Sequence, residues 1–193
     1  MAEAGGALAG PDGAPRCPWA VNGGELYLDY HDAEWGRPVR GDQALFERLT
    51  LEAFQSGLSW LTILRKRPAF RRAFAGFDPA TVAAYDEDDV SRLLADSGIV
   101  RNSAKIRAAV HNARCVQELD GGLDELLWSF APEPRPAPRH VGDVAAVTPE
   151  STAMARELKR RGFRFVGPTT AYALMQATGM VDDHLADCVA RRS

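Results

Sequence analysis

The segment TPESTAMARELKRRGFRFVGPTTAYALMQA, residues 148–177, predicts two helices joined by a tight hairpin. Pro149 is a residue type that begins helices, and Gly162 is a residue type that ends them. Pro168 suits the first position of a second helix, because its ring fixes a helical φ angle. Around Gly167, that helix start offers free backbone N–H groups with little side-chain bulk, an arrangement that suits a phosphate.

The same segment is basic, although the chain as a whole is acidic. Residues 151–176 contain five basic residues and one acid, a local charge of +4, whereas the 193-residue chain has a formal net charge of -3. A second basic cluster lies at residues 65–72. Such patches are typical of contact with a nucleic-acid backbone. The alternative is that both clusters are solvated helix faces and that the Gly-Pro pair is only a turn.

The composition indicates one globular unit. Apolar residues make up 46% of the chain and charged residues 25%, and no apolar run is long enough for a membrane span. Three cysteines are too few for a disulfide framework and indicate a reducing compartment or metal ligands. From Asp42 onward, apolar residues recur three and four positions apart, which predicts a mostly α fold. We expect a disordered leader over residues 1–15, a single compact helical domain over residues 16–193, and a cytoplasmic location, since the N-terminus lacks the features of a signal peptide.

Proline and acidic residues predict where several helices begin. Asp42 is a candidate N-cap for a helix that ends near Gly57. Pro68 and Pro79 can each open a further helix. Residues 86–89 are all acidic and suit the first turn of another helix, because carboxylates there oppose the positive end of the helix dipole.

Two cysteines and two histidines lie at opposite ends of the chain. His184 and Cys188 are four positions apart and would share one face of a helix or tight turn. Cys17 and His31 lie near the start of the folded part. Together the four could form a closed, structural Cys2His2 zinc site that ties the N-terminal segment to the C-terminal one. The alternative is that they are simply packed side chains, since their spacing matches no short zinc-finger pattern.

Glu52 lies on or beside the apolar stripe of the helix predicted from Asp42. One interpretation is a surface ion pair with Arg48, one helical turn away. The other is that Glu52 faces a pocket lined by nearby aromatic residues, which are Trp19, Tyr27, Tyr30 and Trp60. Aromatic residues at this density can sandwich a flat base, although aromatic clusters also form ordinary cores.

Several blocks of sequence, in one order, resemble the type I 3-methyladenine DNA glycosylases, a bacterial alkylation-repair family of the helix-hairpin-helix superfamily. The resemblance covers nearly everything from Arg16 to Cys188. The blocks are RCPW at 16–19, YHDAEWG at 30–36, LE at 51–52 with Gln55 and GLSW at 57–60, LWSF at 127–130, KRRGF at 159–163 with FVG at 165–167, and DH at 183–184 with Cys188.

The resemblance implies a role for residues in most of these blocks. It implies that the two cysteines and two histidines named above hold a structural zinc ion. It implies that Glu52 recognises the base and that aromatic side chains surround it, namely Trp60, Tyr27 and Tyr30, with Trp19 beside them. It also implies that the turn at Gly57 and Leu58 enters the DNA stack. The hairpin would then bind the DNA backbone, through Arg164, Gly167, Thr169 and Thr170.

The implied activity is that of a monofunctional DNA N-glycosylase, which flips 3-methyladenine out of double-stranded alkylated DNA and hydrolyses its N-glycosidic bond. The products are free 3-methyladenine and an abasic site. N3-methylation makes the adenine cationic, so an aromatic stack and the Glu52 carboxylate favour it over a neutral base. No lysine occurs in the matched pocket blocks to act as the nucleophile of a lyase. The alternative is a non-catalytic protein that binds alkylated DNA lesions, and nothing in the sequence demands more than a monomer.

Asp182 is a second catalytic candidate. In the wider superfamily, the pattern Val-Asp-x-His after the hairpin carries an aspartate that assists hydrolysis. Residues 181–184, VDDH, match this pattern, although the type I branch often lacks the acid. Asp182 would then stabilise positive charge on the sugar or orient water. The alternative is that Asp182 caps the turn before His184.

Overall fold

The computed structural model describes residues 5–191, and this part of the chain is mostly helical, as predicted. Residues 1–4 of the expected leader and 192–193 of the expected domain lie outside this range. Two short strands, β1 (Leu8–Ala9) and β2 (Pro15–Arg16), pair antiparallel. The α-helices that follow are α1 (Pro18–Asn22), α2 (Glu25–Ala33), α3 (Asp42–Gln55), α4 (Trp60–Ala73), α5 (Pro79–Ala83), α6 (Glu87–Ala95), α7 (Ser103–Gln117), α8 (Gly122–Trp128), α9 (Pro149–Arg160) and α10 (Pro168–Ala177). Within residues 5–191, no helix is long and apolar enough to cross a membrane.

Local sequence explains many of the helix starts. α6 begins with a capping box, in which Asp86 accepts hydrogen bonds from the backbone of the first turn and Asp89 accepts one from the backbone of Asp86. Thr148 caps α9 by accepting a hydrogen bond from the backbone N–H of Ser151. Pro168 occupies the first turn of α10, as predicted. These starts depend on neighbouring residues only, so the sequence predicts them well.

The helix predicted from Asp42 is present as α3, but the N-cap role of Asp42 and the helix start at Pro68 are wrong. α3 is preceded by Gly41 at the N-cap, and Asp42 instead accepts a hydrogen bond from the backbone N–H of Asp124 in α8 at 2.8 Å. Pro68 lies inside α4, whose N-cap is Ser59. In both cases a contact or cap elsewhere in the chain overrides the local signal.

The core lies between α3 and the helices that pack around it. Five fully buried phenylalanines fill its centre, namely Phe46, Phe54, Phe70, Phe74 and Phe77. The ring centroids of Phe54 and Phe70 lie 4.8 Å apart, and burial of each such ring contributes about 1.5–3 kcal/mol. α4, α7, α8 and α10 all pack against α3. This helix, which carries Glu52, is therefore fixed from several sides.

The N-terminal segment differs from the expected disordered leader. Over residues 8–16 it forms the β1–β2 hairpin. The Arg16 guanidinium donates hydrogen bonds to Asp12 at 2.6 Å and to Asp32 at 3.0 Å. The backbone oxygen of Gly5 accepts a hydrogen bond from the backbone N–H of Val141 at 2.8 Å. Charged and backbone contacts therefore order a segment that has few large apolar side chains to bury.

The two ends of the described chain meet. After α10, residues 178–191 run beside α1 and α2 without forming an α-helix. The backbone N–H of Val189 donates to the backbone oxygen of Pro15 at 2.9 Å, and that of Leu185 donates to Cys17 Sγ at 3.5 Å. This arrangement brings the N-terminal aromatic residues, α3 and the C-terminal segment to one place.

Candidate active site and metal cluster

A cavity of about 290 Å³ lies where α1 to α4 and α10 meet the C-terminal segment. Its volume is close to the lower end of the range for ligand pockets, which suits a single flat base. We call it the aromatic cavity. The five residues predicted to bind a base all line it, and they are Trp19, Tyr27, Tyr30, Glu52 and Trp60. The fold therefore brings residues from four separate helices together around one cavity.

Glu52 supplies a carboxylate to this cavity from the buried side of α3. The residue is only 5% exposed, and no group within residues 5–191 donates a hydrogen bond to its carboxylate. Burial raises the pKa of Glu52 to about 8, and the charge of Arg48 opposes this shift only in part. A buried carboxylate without a donor is costly to ionise, so a ligand that brings a donor or a positive charge is favoured there.

The interpretation of Glu52 as a surface partner of Arg48 is wrong. Arg48 and Arg67 both donate to Glu34 instead, at 2.7 Å and 2.6 Å. Burial opposes ionisation of Glu34, but hydrogen bonds from the two arginines lower its pKa to about 2. Both guanidinium groups lie 6.0 Å from the ring of Tyr30. The two arginines and Glu34 therefore form a network beside Tyr30. Because Arg48 is bound in this network, the Glu52 carboxylate remains available to a ligand.

Aromatic rings form most of the remaining wall. The ring centroids of Tyr30 and Trp60 lie 5.5 Å apart, and Trp19 packs edge-on against Tyr27 at 5.2 Å and Trp35 at 5.1 Å. The indole Nε1 of Trp60 is buried and has no hydrogen-bond partner within the described part of the chain. Electron-rich ring faces attract a flat cation, and an unpaired N–H can orient one.

Three of the four expected metal ligands come together next to this cavity. The Sγ atoms of Cys17 and Cys188 and one ring nitrogen of His31 lie within 4.8 Å of one another, and all three residues are buried. The fourth, His184, is 1% exposed, and its ring centroid lies 4.8 Å from that of His31. We call these four residues the cysteine–histidine cluster.

Carboxylates orient both histidines of the cluster. Asp32 Oδ1 lies 2.7 Å from Nδ1 of His31, and Asp182 Oδ1 lies 2.7 Å from Nδ1 of His184. Nε2 of each ring is then left as the ligand atom, and Nε2 of His184 is buried with no partner in residues 5–191. Carboxylate–histidine pairs of this kind are the usual support of zinc ligands. The donor set and the orphaned nitrogen therefore fit a zinc ion.

Hydrogen bonds shift the pKa values of the two cluster thiols in opposite directions. The contact with Cys17 and, more weakly, that with His31 lower the pKa of Cys188 to about 4. The same contact, together with burial, raises the pKa of Cys17. One thiolate is thus favoured even without an ion, and the thiolate is the form that binds metals.

Asp182 contacts the cluster and does not line the aromatic cavity. In addition to the histidine ring, its Oδ1 accepts a hydrogen bond from the backbone N–H of His184 at 3.2 Å. The geometry therefore supports the turn-capping alternative over the catalytic role predicted from sequence. Gly36 completes this corner, because a Cβ atom there would lie 2.7 Å from Cε1 of His184.

The predicted hairpin joins α9 to α10. Gly162 has a φ of 90°, as the residue after a helix end often does. Gly167 caps α10 without a side-chain hydrogen bond, and the space around it is open. The first-turn N–H groups of Thr169 and Thr170 therefore have no carbonyl partner inside the helix.

Asn112 of α7 fixes the hairpin. Its Oδ1 accepts a hydrogen bond from the backbone N–H of Arg164 at 2.8 Å, and its Nδ2 donates to the Arg164 carbonyl at 3.0 Å. Asn112 is 2% exposed, whereas Arg164 is exposed. The buried Asn112 therefore fixes the backbone of the hairpin, while the side chain of Arg164 faces solvent.

Only some of the basic residues in the two clusters are available to a partner. Glu157 already pairs with Arg160 and Arg161, each at 2.6 Å. Three others near the hairpin have no ion-pair partner within residues 5–191, namely Arg156, Lys159 and Arg164. In the cluster at residues 65–72, three of the five basic side chains contact the protein itself, namely Lys66, Arg67 and Arg71. The hairpin is therefore the stronger candidate for contact with DNA.

The turn between α3 and α4 carries Gly57 and Leu58. Leu58 is 41% exposed, as are several other large apolar side chains within residues 5–191, so its place on this turn, more than its exposure, makes it a candidate. Lys105 Nζ fixes the end of α3 by donating to the carbonyls of Phe54 and Ser56 at 2.9 Å and 2.5 Å. An exposed apolar side chain on a fixed turn has the form of a wedge for stacked bases.

Comparison with known proteins identifies the family. The family model for methyladenine glycosylases matches residues 19–192. The chain belongs to the methyladenine glycosylase family. The DNA-3-methyladenine glycosylase of Haemophilus influenzae is 42% identical over 184 residues, covering 92% of this chain and 98% of that protein. A crystal structure of 3-methyladenine DNA glycosylase I matches with a TM-score of 0.87 at 41% identity, over 92% of this chain and 100% of that one. A variant of 3-methyladenine DNA glycosylase I in complex with 3-methyladenine matches with a TM-score of 0.84 at 34% identity, over 90% and 97% of the two chains.

Several cavity residues of this family member were not predicted from its sequence. They are Trp35, Gln55, Val141, Val144, Ala173, Gln176, Asp183 and Leu185, together with the cluster residue Cys17. Asp183 carries chemistry of its own, because its carboxylate lines the cavity. The sequence signals for Asp183 are the DH block at 183–184 and the pair of adjacent aspartates in VDDH, and neither tells which aspartate faces the cavity.

Proposed function

We propose that this chain is a monofunctional DNA N-glycosylase that removes 3-methyladenine from double-stranded alkylated DNA. The observation that carries the proposal is Glu52, a buried carboxylate without a donor in the wall of an aromatic cavity. Membership of the methyladenine glycosylase family supports it, and so does the 3-methyladenine held by a structural relative. The products are free 3-methyladenine and DNA with an abasic site.

Recognition rests on the charge of the damaged base. Methylation at N3 makes adenine in DNA cationic, whereas normal bases are neutral. A cationic purine in the cavity meets the ring faces of Tyr30 and Trp60, and its exocyclic amine donates to Glu52. The positive charge offsets the cost of ionising Glu52, whose pKa burial raises to about 8. A neutral base brings no such compensation, so it binds more weakly.

The bond to be broken is already weak, because the base leaves as a neutral molecule. The C1′–N9 bond breaks with its electron pair passing to the purine, and the sugar becomes cationic. Water adds to C1′ and loses a proton to solvent, which completes the hydrolysis. Within residues 5–191, no lysine lines the cavity, which supports hydrolysis over a lyase reaction through a covalent amine.

We assign DNA binding to the hairpin and to the turn after α3. The backbone N–H groups of Thr169 and Thr170 donate to a phosphate, Gly167 allows its close approach, and Arg164 adds positive charge. Leu58 fills the space that the flipped nucleotide leaves in the stack. The protein acts as a cytoplasmic monomer, since its DNA substrate lies in that compartment and one chain supplies every part of this site.

The role that we propose for zinc is structural. The ion would be held by the four residues of the cysteine–histidine cluster, which are Cys17, His31, His184 and Cys188. Four protein ligands leave no open position for a substrate. When bound, the ion supplies a cross-link between the N-terminal and C-terminal segments. Because Cys17 and Leu185 also line the aromatic cavity, this cross-link fixes one cavity wall.

The test is release of free base from methylated duplex DNA. The wild-type chain is expected to release 3-methyladenine, and Glu52→Gln, which keeps the size and removes the charge, is expected to lose about 10²-fold or more in rate. Glu47→Gln is the matched control, because Glu47 lies on the same helix but pairs with Arg71 outside the cavity. Tight binding of methylated DNA by the wild type without release of base would instead identify a lesion-binding protein. Equal rates for wild type and Glu52→Gln would remove Glu52 from the site.

A further inference from the structure

The aromatic cavity contains a second carboxylate, Asp183, which the proposed function does not use. Asp183 follows α10 and lies on the cavity wall together with Ala173 and Gln176 of that helix. The Tyr172 hydroxyl donates to Asp183 at 2.5 Å, and Gln176 Nε2 donates to it at 2.9 Å. Both bonds end on Oδ2, and no group of residues 5–191 donates to Oδ1. The carboxylate is therefore fixed through one oxygen and free at the other.

A chain of hydrogen bonds holds this carboxylate in its orientation. Arg135 lies in the proline-rich loop at residues 132–138, before α9. Its Nη2 lies 3.4 Å from the Tyr172 hydroxyl, to which it donates. Tyr172 donates in turn to Asp183. A charge that is oriented before the reaction begins stabilises an opposite charge without first having to reorganise.

The two cavity carboxylates lie at different depths. Glu52 is buried on α3, whereas Asp183 is partly exposed and also lines a second cavity beside the proline-rich loop. A flipped nucleotide enters a cavity with its base first, because its sugar stays attached to the DNA backbone. The base therefore reaches the depth of Glu52, and the sugar stays nearer to solvent, which fits the partly exposed Asp183 better than the buried Glu52.

We propose that Oδ1 of Asp183 stabilises the positive charge that develops on the deoxyribose as the C1′–N9 bond breaks. This inference rests on the proposed glycosylase function and adds a catalytic residue to it. The electron pair of the bond passes to the purine, C1′ and the ring oxygen become cationic, and the carboxylate supplies the opposing charge. Water then adds to C1′ and its proton passes to solvent, so Asp183 is unchanged at the end. Tyr172 and Gln176 are positioning residues.

The experiment measures single-turnover excision from methylated duplex DNA by the full chain. Asp183→Asn is expected to lower the rate constant by about 10²-fold. Binding of free 3-methyladenine, followed by tryptophan fluorescence, is expected to stay at the wild-type level, because the base contacts Glu52. Asp187→Asn is the matched control, because Asp187 lies on the same segment but is exposed and outside the cavity. Tyr172→Phe keeps the carboxylate but removes a donor, and it is expected to lower the rate constant by about fivefold.

Three results would overturn the inference, and they are distinguishable. An excision rate for Asp183→Asn equal to that of the wild type would show that the carboxylate takes no part in the chemistry. A parallel loss of base binding, zinc content or melting temperature would show that Asp183 acts only through the structure next to His184. A wild-type chain that binds methylated DNA but releases no base would overturn the proposed function itself, and this inference with it.

Discussion

The aromatic cavity and the cysteine–histidine cluster are neighbours, yet their polar groups are supported differently. In the cluster, each histidine has one ring nitrogen 2.7 Å from a carboxylate, so its ring is oriented. In the cavity, the Glu52 carboxylate receives no hydrogen bond from residues 5–191, and Trp60 Nε1 is buried without a partner there. The cluster therefore has the preorganised ligands that suit a permanently bound ion. The cavity has unpaired polar groups, which suit a ligand that binds and leaves.

This difference has opposite consequences for stability. An unpaired buried polar group costs about 1–3 kcal/mol, and only a ligand with matching groups removes that cost. A metal site in the folded protein stabilises it instead, because the unfolded chain does not hold the ion as well. Changes in the cluster are therefore expected to destabilise the protein, and changes in the cavity to stabilise it while impairing its function.

The largest expected effect is that of metal removal. Chelation of the wild-type protein is expected to lower the free energy of unfolding by several kcal/mol and the melting temperature by about 10 °C or more. Cys188→Ser is expected to reach the same low melting temperature and to respond no further to chelator. Cys115→Ser is the control, because Cys115 is a buried cysteine outside the cluster, and it is expected to keep the response. A melting temperature unaffected by chelator, with no zinc found by atomic absorption, would contradict the proposed site.

The second effect is a gain of stability from removing the Glu52 charge. The pKa of Glu52 is raised from 4.5 to about 8 in the folded protein. Between these values the unfolded chain has released a proton that the folded protein retains, so stability falls as pH rises, by up to about 1.4 kcal/mol per pH unit. In the Glu52→Gln variant the side chain cannot ionise, so its stability does not fall with pH for this reason. Its stability relative to the wild type is expected to rise by about 3 kcal/mol between about pH 5 and pH 8.

Urea unfolding of both chains at the two pH values measures this difference. Arg48, Tyr27 and Tyr30, whose charges or rings lie near Glu52, are common to both chains, so their own titration cancels in the comparison. Parallel stability curves for the two chains would mean that Glu52 is paired or solvated and that the cavity does not keep its carboxylate free.

A third, smaller effect separates the cluster from the cavity. Gly36 has a φ of 72°, and a Cβ atom there would lie 2.7 Å from Cε1 of His184. Gly36→Ala is expected to lower the free energy of unfolding by about 1–3 kcal/mol and to weaken zinc binding. Gly41→Ala is the control, because Gly41 has a φ of 87° but no heavy atom within 4 Å of its Cβ position. Equal losses for both variants would show that only backbone strain matters and that the ring of His184 can move.

Features that depend on neighbouring residues were predictable from the sequence. The hairpin follows from Pro149, Gly162 and Pro168, whose backbone preferences act locally. The family resemblance was also readable, because its blocks are short and specific. The mostly α fold followed from the spacing of apolar residues.

Features that depend on distant partners were not predictable. The spacing of Arg48 and Glu52 on one helix predicts an ion pair between them, but Arg48 donates to Glu34 from another segment instead. Asp182 and Asp183 are adjacent in sequence, and only the path of the chain after α10 directs one to His184 and the other to the cavity. In each case the sequence predicts that a carboxylate is involved, but the three-dimensional fold determines which carboxylate it is.

The smallest expected effect extends the comparison to the hairpin, where Arg164 has no ion-pair partner in residues 5–191 and is a proposed contact with DNA. Each phosphate neutralised on double-stranded DNA adds about 0.9 to the slope of log affinity against log salt concentration. Arg164→Ala is expected to reduce that slope by about 0.9, because no carboxylate within residues 5–191 pairs with Arg164. Arg160→Ala is expected to change it little, because Glu157 already neutralises Arg160 at 2.6 Å. Titration of duplex DNA at several salt concentrations measures both slopes. If the two variants changed the slope equally, pairing within the protein would not decide which arginines bind DNA, and the general charge of the surface would be the better explanation.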